Sequence, residues 1–509
     1  MWRKCIFFLQ VAVKLDLEVR ARITRADAYL HAGEERLRRK LAELIRFPSV
    51  STQAAHAGDI LACARWLAEH LKTIGLENVR LVETGGNPIV YGDWLHAADG
   101  PTVLLYGHYD VQPPEPLELW RTPPFEATLA DGRLYGRGIA DNKGMIFAHL
   151  SALEAMLATD GALPCNARVI VEGEEELRAD HLEAFVAASR ELLRADVCLN
   201  SDSGVLAADL PTIVVGLRGM AALNMTVRTA ATDLHSGKFG GVVPNAAHVM
   251  GGLLSTLHHP DGRIAVSGFY DRVQPLSAET RRAWAAIPYG DDEHRRLTGA
   301  QALVGEPGYS ALERAWGRPS LDVNGVWSGY TGEGLKTVIP CEAHAKITCR
   351  LVPDQDPNEI VTLLRRHLET HLPPGGQLEI DFEMAGAFPA RIDDQHPAVR
   401  AALRALSSAF EHPARAVQSG WSVPVVEIIG RHLLIPSVLM GFGLPDASEH
   451  APNENVRIDV LERGIRAALR FWHEYAADHR ASAHGFRAEK PQPRADRALD
   501  GAAPADALG

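Results

Sequence analysis

The chain has no closely spaced cysteines, no basic run, no membrane-length apolar stretch and no nucleotide loop, and each absence excludes a class of protein. Its six cysteines (Cys5, Cys63, Cys165, Cys198, Cys341, Cys349) never fall into a CxxC pair. That excludes a zinc ribbon or disulfide framework and fits a reducing cytoplasm. With a formal net charge of -12 and no cluster of Lys and Arg, the chain lacks the cations that phosphate binding needs, so no nucleic acid partner is expected. No apolar run reaches the roughly 18 residues of a membrane span, so no membrane partner is expected either. Arg3, Lys4 and the apolar run Cys5 to Val13 imitate the start of a signal peptide. Charged Lys14, Asp16 and Glu18 follow at once and no small-residue cleavage site is present, so export is not expected. GxxxxGK[ST] is missing. The nearest approach to G-x-S-x-G, Gly420-Trp421-Ser422-Val423-Pro424, lacks the second glycine a serine nucleophile elbow requires.

What is present is globular. A chain of 509 residues with 46% hydrophobic and 23% charged content exceeds one core and implies two domains plus tails. Leu37, Leu41, Leu44 and Ile45 mark a helix over 34–45, and 59–74 reads as another, stopped by Gly75. Strands and helices then alternate: strand 103–106, helix 145–157, strand 168–171, helix 181–193, strand 197–200. Short, continuously apolar strands between helices predict a mostly parallel or mixed sheet covered on both faces. From about 213 the alternation in "TIVVGLRGMAALNMTVRTA" predicts antiparallel strands, and strands 343–351 and 377–383 bracket a helix over 357–371. A helix over 398–410 and the apolar run 433–440 then restore the first texture. The predicted fold is a discontinuous α/β domain, 26–214 and 397–478, interrupted by an α+β (ferredoxin-like) domain, 215–396. Residues 479–509, rich in Ala, Pro, Arg and Asp, predict a disordered tail.

Acids and histidines follow the strands of the first domain. His108 and Asp110 follow strand 103–106; "ADNKG" follows Leu134-Tyr135; "EGEEE" follows 168–171; Asp202 follows 197–200; "GFGLPDASEH" follows 433–440. In an open parallel sheet these strand ends share one crevice. Alone, each piece is ordinary: a satisfied histidine, a turn, a solvated acidic run. Together, crowded carboxylates would repel one another unless cations lay between them. Imidazole mixed with carboxylate favours zinc, with manganese or cobalt as alternatives, over calcium.

The motifs "GHYDVQPP", "GRLYGRGIADNKG", "EGEEE", "NSDSG", "LRG", "DLHSGKFGGVVPNA", "KTVIP", "CRLVPDQDP" and "SEHAPNE" resemble, in order, the aminoacylase, carnosinase and carboxypeptidase G family of dinuclear metallopeptidases, dipeptidase branch. The spacings, 33 residues from His108 to Asp141, 35 to Glu176 and 26 to Asp202, are also similar. The resemblance implies that His108 and Asp202 hold one metal ion, Glu176 and His450 the other, and Asp141 bridges them. It implies Glu175 as general base, Asp110 as the acid that orients the His108 ring, and a cis peptide between Asp141 and Asn142. It further implies that His235 reaches the active site of the other subunit of a homodimer, and that Thr337, Arg350 and Ser422 hold the substrate's carboxylate. The expected activity is hydrolysis of dipeptides or short peptides with a free C-terminal carboxylate, by water activated between the metals. An N-acyl amino acid deacylase or desuccinylase, and a catalytically inactive binding protein, are the alternatives. Two departures stand out. Leu177-Arg178-Ala179-Asp180 replaces the usual "IGS" after the acidic run, predicting altered loop packing, and Asn142 stands where relatives have a second aspartate. Roughly the first 25 residues match nothing in the family, consistent with an upstream start codon.

Overall fold

In the computed structural model, residues 2–177, 180–384 and 387–485 are described. A nine-stranded mixed sheet organises the larger layer. Its centre is parallel: Asn166–Glu172, Thr102–His108, Val197–Asn200 and Ser437–Leu439 lie side by side in that order. Ile89–Trp94 and Glu77–Val82 extend one edge antiparallel; Thr212–Leu217 lies beyond Ser437–Leu439 and carries Ala390–Arg391 and Arg415–Ser419. Alternation along the central strand feeds two cores. Val103 and Leu105 face helices Ala57–Thr73, Lys143–Asp160, Pro397–Phe410 and Ile458–Gly485, while Leu104 and Tyr106 face the core of Phe185, Trp284, Trp316 and Ile429. The sheet is thus buried on both faces, as its continuous apolar strands require.

A second sheet, Ser320–Ser328, Glu342–Leu351, Gly219–Arg228 and Gln377–Met384 in spatial order, is antiparallel throughout. Alternate residues of Gly219–Arg228 are buried, and they pack on helices Ala246–Ser255 and Pro357–His371 in a separate core.

The structure adjusts several expectations. The strand Thr212–Leu217 is buried on both sides and belongs to the large sheet, so alternation begins only after the Arg218-Gly219 break. The helix expected over 181–193 is Asp180–Ala188, and of the run 433–440 only Ser437–Leu439 is strand. The terminal helix continues to Gly485, into the segment expected to be a tail. Its Ala-rich sequence favours helix, and the first proline comes only at Pro491. Residues 486–509 lie outside the described residues, as do Arg178 and Ala179 of the departing loop. Upstream of the family match, Trp2–Ala32 forms a helix. Ala26 and Leu30 are buried in the main core, and Asp27 pairs with Arg470 at 2.6 Å. Among the described residues no helix is long and apolar enough to cross a membrane.

Two loops at the carboxyl edge of the sheet are joined by hydrogen bonds from backbone amides. Val205 N donates to Gly443 O at 2.8 Å and Gly441 N to Ser203 Oγ at 2.8 Å. A Cβ on Gly441 would collide with the Ser203 carbonyl, so only glycine lets these loops close. Gly441→Ala is expected to cost about 1–3 kcal/mol, read as a lower urea midpoint at unchanged slope; an unchanged midpoint would contradict this packing.

Candidate metal centre

The cluster is assembled at the carboxyl ends of the parallel strands. His108 is the last residue of Thr102–His108. Glu175 and Glu176 follow Asn166–Glu172, and Asp202 follows Val197–Asn200. Asp141 immediately precedes Asn142, the N-cap of Lys143–Asp160, where the helix dipole favours negative charge. His450, in the loop after Ser437–Leu439, completes the ring.

Ligand-type atoms of His108, Asp141 and Asp202 all lie within 4.8 Å of one another, and so do those of Asp141, Glu176 and His450. Asp141 is common to both groups: its Oδ1 is 3.0 Å from His108 Nε2 and its Oδ2 2.9 Å from His450 Nε2. His450 Nε2 is also 3.4 Å from Glu176 Oε2. Glu176 Oε1 is buried with no hydrogen-bond partner, the mark of a carboxylate whose partner is an ion. Two imidazoles and three carboxylates sharing one member fit two divalent ions. The Asp141-Asn142 peptide is cis.

Several residues hold this cluster. His108 Nδ1 lies 3.1 Å from the Asp110 main-chain oxygen and 3.3 Å from its carboxylate. The Asp110 carboxylate also accepts the Glu175 and Glu176 amides at 3.2 and 3.0 Å and the Ser51 hydroxyl at 2.7 Å. It therefore fixes the acidic turn as well as the ring. Sequence reasoning did not single out Glu454. This fully buried acid pairs with Arg137 at 2.7 Å and accepts the amides of Gly138, Ala140 and Asp141 at 2.8–3.0 Å. Its signal was the final letter of "SEHAPNE". Gln112, donating to Glu176 Oε2 at 2.7 Å, was also missed. Asn142 Oδ1 accepts Ser201 Oγ at 2.7 Å, while its Nδ2 is buried and unpartnered. The asparagine thus serves the strand ends on its oxygen side alone.

Without ions, crowding shifts most of these groups toward their protonated forms. Burial lowers the His108 imidazole, but hydrogen bonds to Asp110 and Asp141 outweigh it and raise it well above normal. Hydrogen bonds to Asp141 and Glu176 push His450 up to about 11. Burial would raise Asp141, yet hydrogen bonds from the two histidines hold it below the usual carboxylate range. Burial, then repulsion by Asp141, lifts Asp202 to about 7. Burial also drives Glu175 well above normal, with Asp202, Asp141 and Glu176 adding to it against His108. Glu449 is raised to about 8 by burial and Asp141.

A cleft of about 460 Å³ opens beside the cluster, lined by Asp141, Glu175, Asp202, Ser422, Glu449 and His450 among others. Arg350, half-buried, donates to Ser422 Oγ at 3.0 Å, and that hydroxyl donates to Arg218 O at 2.6 Å. Ser422 is therefore occupied in holding Arg350. His235 and Thr337 are exposed and lie outside the described cleft lining. They share a two-stranded ribbon, Leu234–His235 with Val338–Ile339, where Ser236 N donates to Thr337 O at 3.1 Å.

Fold and cluster together are those of a metal-dependent hydrolase. The chain belongs to peptidase family M20/M25/M40, whose sequence pattern matches residues 104–474. It is 30% identical over 456 residues to the cysteinylglycine-S-conjugate dipeptidase of Corynebacterium striatum, covering 88% of this chain and 97% of that protein. It is 31% identical over 385 residues to the human Beta-Ala-His dipeptidase, covering 74% and 75%. The structure of the M20 family metallo-carboxypeptidase Sso-CP2 from Sulfolobus solfataricus superimposes with a TM-score of 0.77 at 30% identity, covering 86% and 98%.

Because imidazoles must be neutral and carboxylates ionised to bind metal, an incoming ion has to displace protons from His108, Asp202 and His450, which their neighbours and, for Asp202, burial shift toward holding them. Zinc titrated calorimetrically into metal-free protein at pH 7 is expected to release protons, seen as a heat that varies with buffer ionisation enthalpy, and to bind more tightly at pH 8 than at pH 6. Buffer-independent heat would contradict this electrostatic picture.

Proposed function

We propose that this enzyme cleaves the amide bond of dipeptides or short peptides that carry a free C-terminal carboxylate, with Glu175 as the proton acceptor. The observation that carries the reading is the pair of ligand groups sharing Asp141 beside a cleft that also contains Glu175. Two similar proteins are named as dipeptidases and a third as a metallo-carboxypeptidase, which supports the same substrate class. His108, Asp141 and Asp202 would hold one ion, and Asp141, Glu176 and His450 the other; zinc suits this donor set best. When bound, the ions supply Lewis acidity toward the scissile carbonyl and lower the pKa of water at the site to about 7.

The remaining work falls to side chains. Glu175 sits in the cleft with its amide fixed by Asp110. Neutralising Asp202, Asp141 and Glu176 removes their repulsion and leaves burial as the cause that keeps Glu175 basic enough to accept a proton and return it to the leaving amine. Arg350, braced by Ser422, offers a planar fork suited to the substrate carboxylate.

The intervening segment, 215–396, acts in this reading as lid and dimerisation domain between the two catalytic parts, 26–214 and 397–478. Its outer strand Ser320–Ser328 has one paired edge and exposes Val323, Val326 and Trp327, a surface that suits a second copy. A homodimer would also give the exposed His235 a site to serve, in the partner. Buried free thiols at Cys63, Cys165, Cys198 and Cys349 suit the cytoplasm.

Glu175→Gln is expected to lower turnover of a cleaved dipeptide by about 10²–10⁴-fold with metal content unchanged; equal loss of metal would instead make Glu175 a ligand. Turnover of N-acetyl or N-succinyl amino acids, with none of any dipeptide, would contradict the peptidase reading. Mixing Glu175→Ala and His235→Ala chains should restore part of the activity each lacks. No recovery in verified mixed dimers would contradict the cross-subunit role of His235.

A further inference from the structure

Charge is distributed unevenly around the cleft. All the charged side chains that line it among the described residues (Asp141, Glu175, Asp202, Glu449 and His450) gather at the metal end. The rest of the lining includes an apolar wall of Leu206, Val214, Tyr289, Trp316, Val417 and Val423. Val214, Trp316, Val417 and Val423 are members of the buried core behind the large sheet, and Leu206 and Tyr289 pack on it. Here the core itself reaches the cleft.

We propose that this wall is a selectivity pocket for one large apolar side chain of the substrate, with Tyr289 and Trp316 as its specificity-determining residues. The proposal rests on the peptidase reading given above. The wall is preformed: Trp316 is only 8% exposed and its ring meets Trp284 edge-on, centroids 5.5 Å apart at 88°. The half-buried Tyr289 ring is steadied by His294, centroids 4.9 Å apart. Both residues come from the stretch that holds the helices Ala278–Ala285 and Ala311–Gly317, which pack on the large sheet's core. A cleft of about 460 Å³ has room for a leucine- or phenylalanine-sized group in addition to the peptide backbone.

The energetics follow from what is missing on that wall. Thr212, Gln418 and Ser419 are its neutral polar neighbours, and Thr212 Oγ1 already accepts the Leu206 amide at 3.2 Å. With Arg350 engaged by the substrate's own terminal carboxylate, a glutamate or lysine side chain placed there would lose water without gaining a counter-charge. Each methylene of an apolar side chain would instead add to binding, worth about 10-fold or more in discrimination.

The test is a pair of dipeptide series, X-Gly and Gly-X, with X as Gly, Leu, Phe, Lys or Glu, assayed with the metal-loaded full chain. Calorimetric binding of the same peptides to the Glu175→Gln chain runs in parallel. In one series Leu and Phe are expected to exceed Lys and Glu at least about tenfold in kcat/KM, with the same order in binding. Tyr289→Ala should lower the Phe-to-Gly ratio about tenfold in that series. Leu206→Arg should raise Glu relative to Leu, a gain that misfolding cannot produce. A preference for charged side chains, or ratios unchanged in both variants, would overturn the pocket. Ordered binding without turnover of any dipeptide would support the pocket and contradict the peptidase reading.

Discussion

One carboxylate, Asp141, is shared by two imidazoles in the middle of a crowd of buried acids. Asp141, Glu175, Glu176 and Asp202 cannot all carry charge at such close range without cations among them. In the ion-free chain the two imidazoles, each within 3.0 Å of an Asp141 oxygen, are shifted toward their protonated, positively charged form. Divalent ions placed in the two groups would meet the same demand with more charge, and would free the imidazoles to act as ligands. The surrounding structure is arranged to keep this demand in place.

That arrangement depends on backbone groups more than on side-chain bulk. Glu454 accepts three amides of the turn that presents Asp141, and Asp110 accepts the amides of both Glu175 and Glu176 in the acidic turn. Each is itself a buried acid, so the site is surrounded by carboxylates whose charge is spent on N–H groups or, for Glu454, also on Arg137. The loops that carry Asp202 and lead toward His450 are joined backbone to backbone at Gly204 and Gly443. Such fixing reduces reorganisation when ions or substrate arrive.

Much of this was legible in the sequence because a parallel sheet brings its strand ends together and chemistry-bearing residues stand just after each strand. The ligand-type residues and the interrupted order of the two sheets were readable from local pattern and motif, and the cis peptide at Asp141-Asn142 only from the family resemblance. What was not legible depended on long-range contact. Nothing local says that Glu454 reaches back to Gly138, or that the Ser422 hydroxyl is already committed to Arg218 O and Arg350. The strand Thr212–Leu217 looked like part of the alternating region because its apolar run continues almost unbroken into Gly219–Arg228, and only burial on both faces assigns it to the large sheet. Tyr289 and Trp316 gave no signal at all, since scattered aromatics are ordinarily core, and only folding against the core behind the large sheet places them at the cleft.

The central claim is that Asp141 is shared by two ions held by the chain's own residues. Metal content per chain, measured by plasma mass spectrometry after zinc loading and desalting, tests it most directly when wild type is compared with Asp141→Asn, His108→Ala and His450→Ala. The account predicts two ions in wild type, loss of one in each histidine variant, and loss of both when Asp141 is neutralised. An Asp141→Asn chain that retained both ions would contradict it.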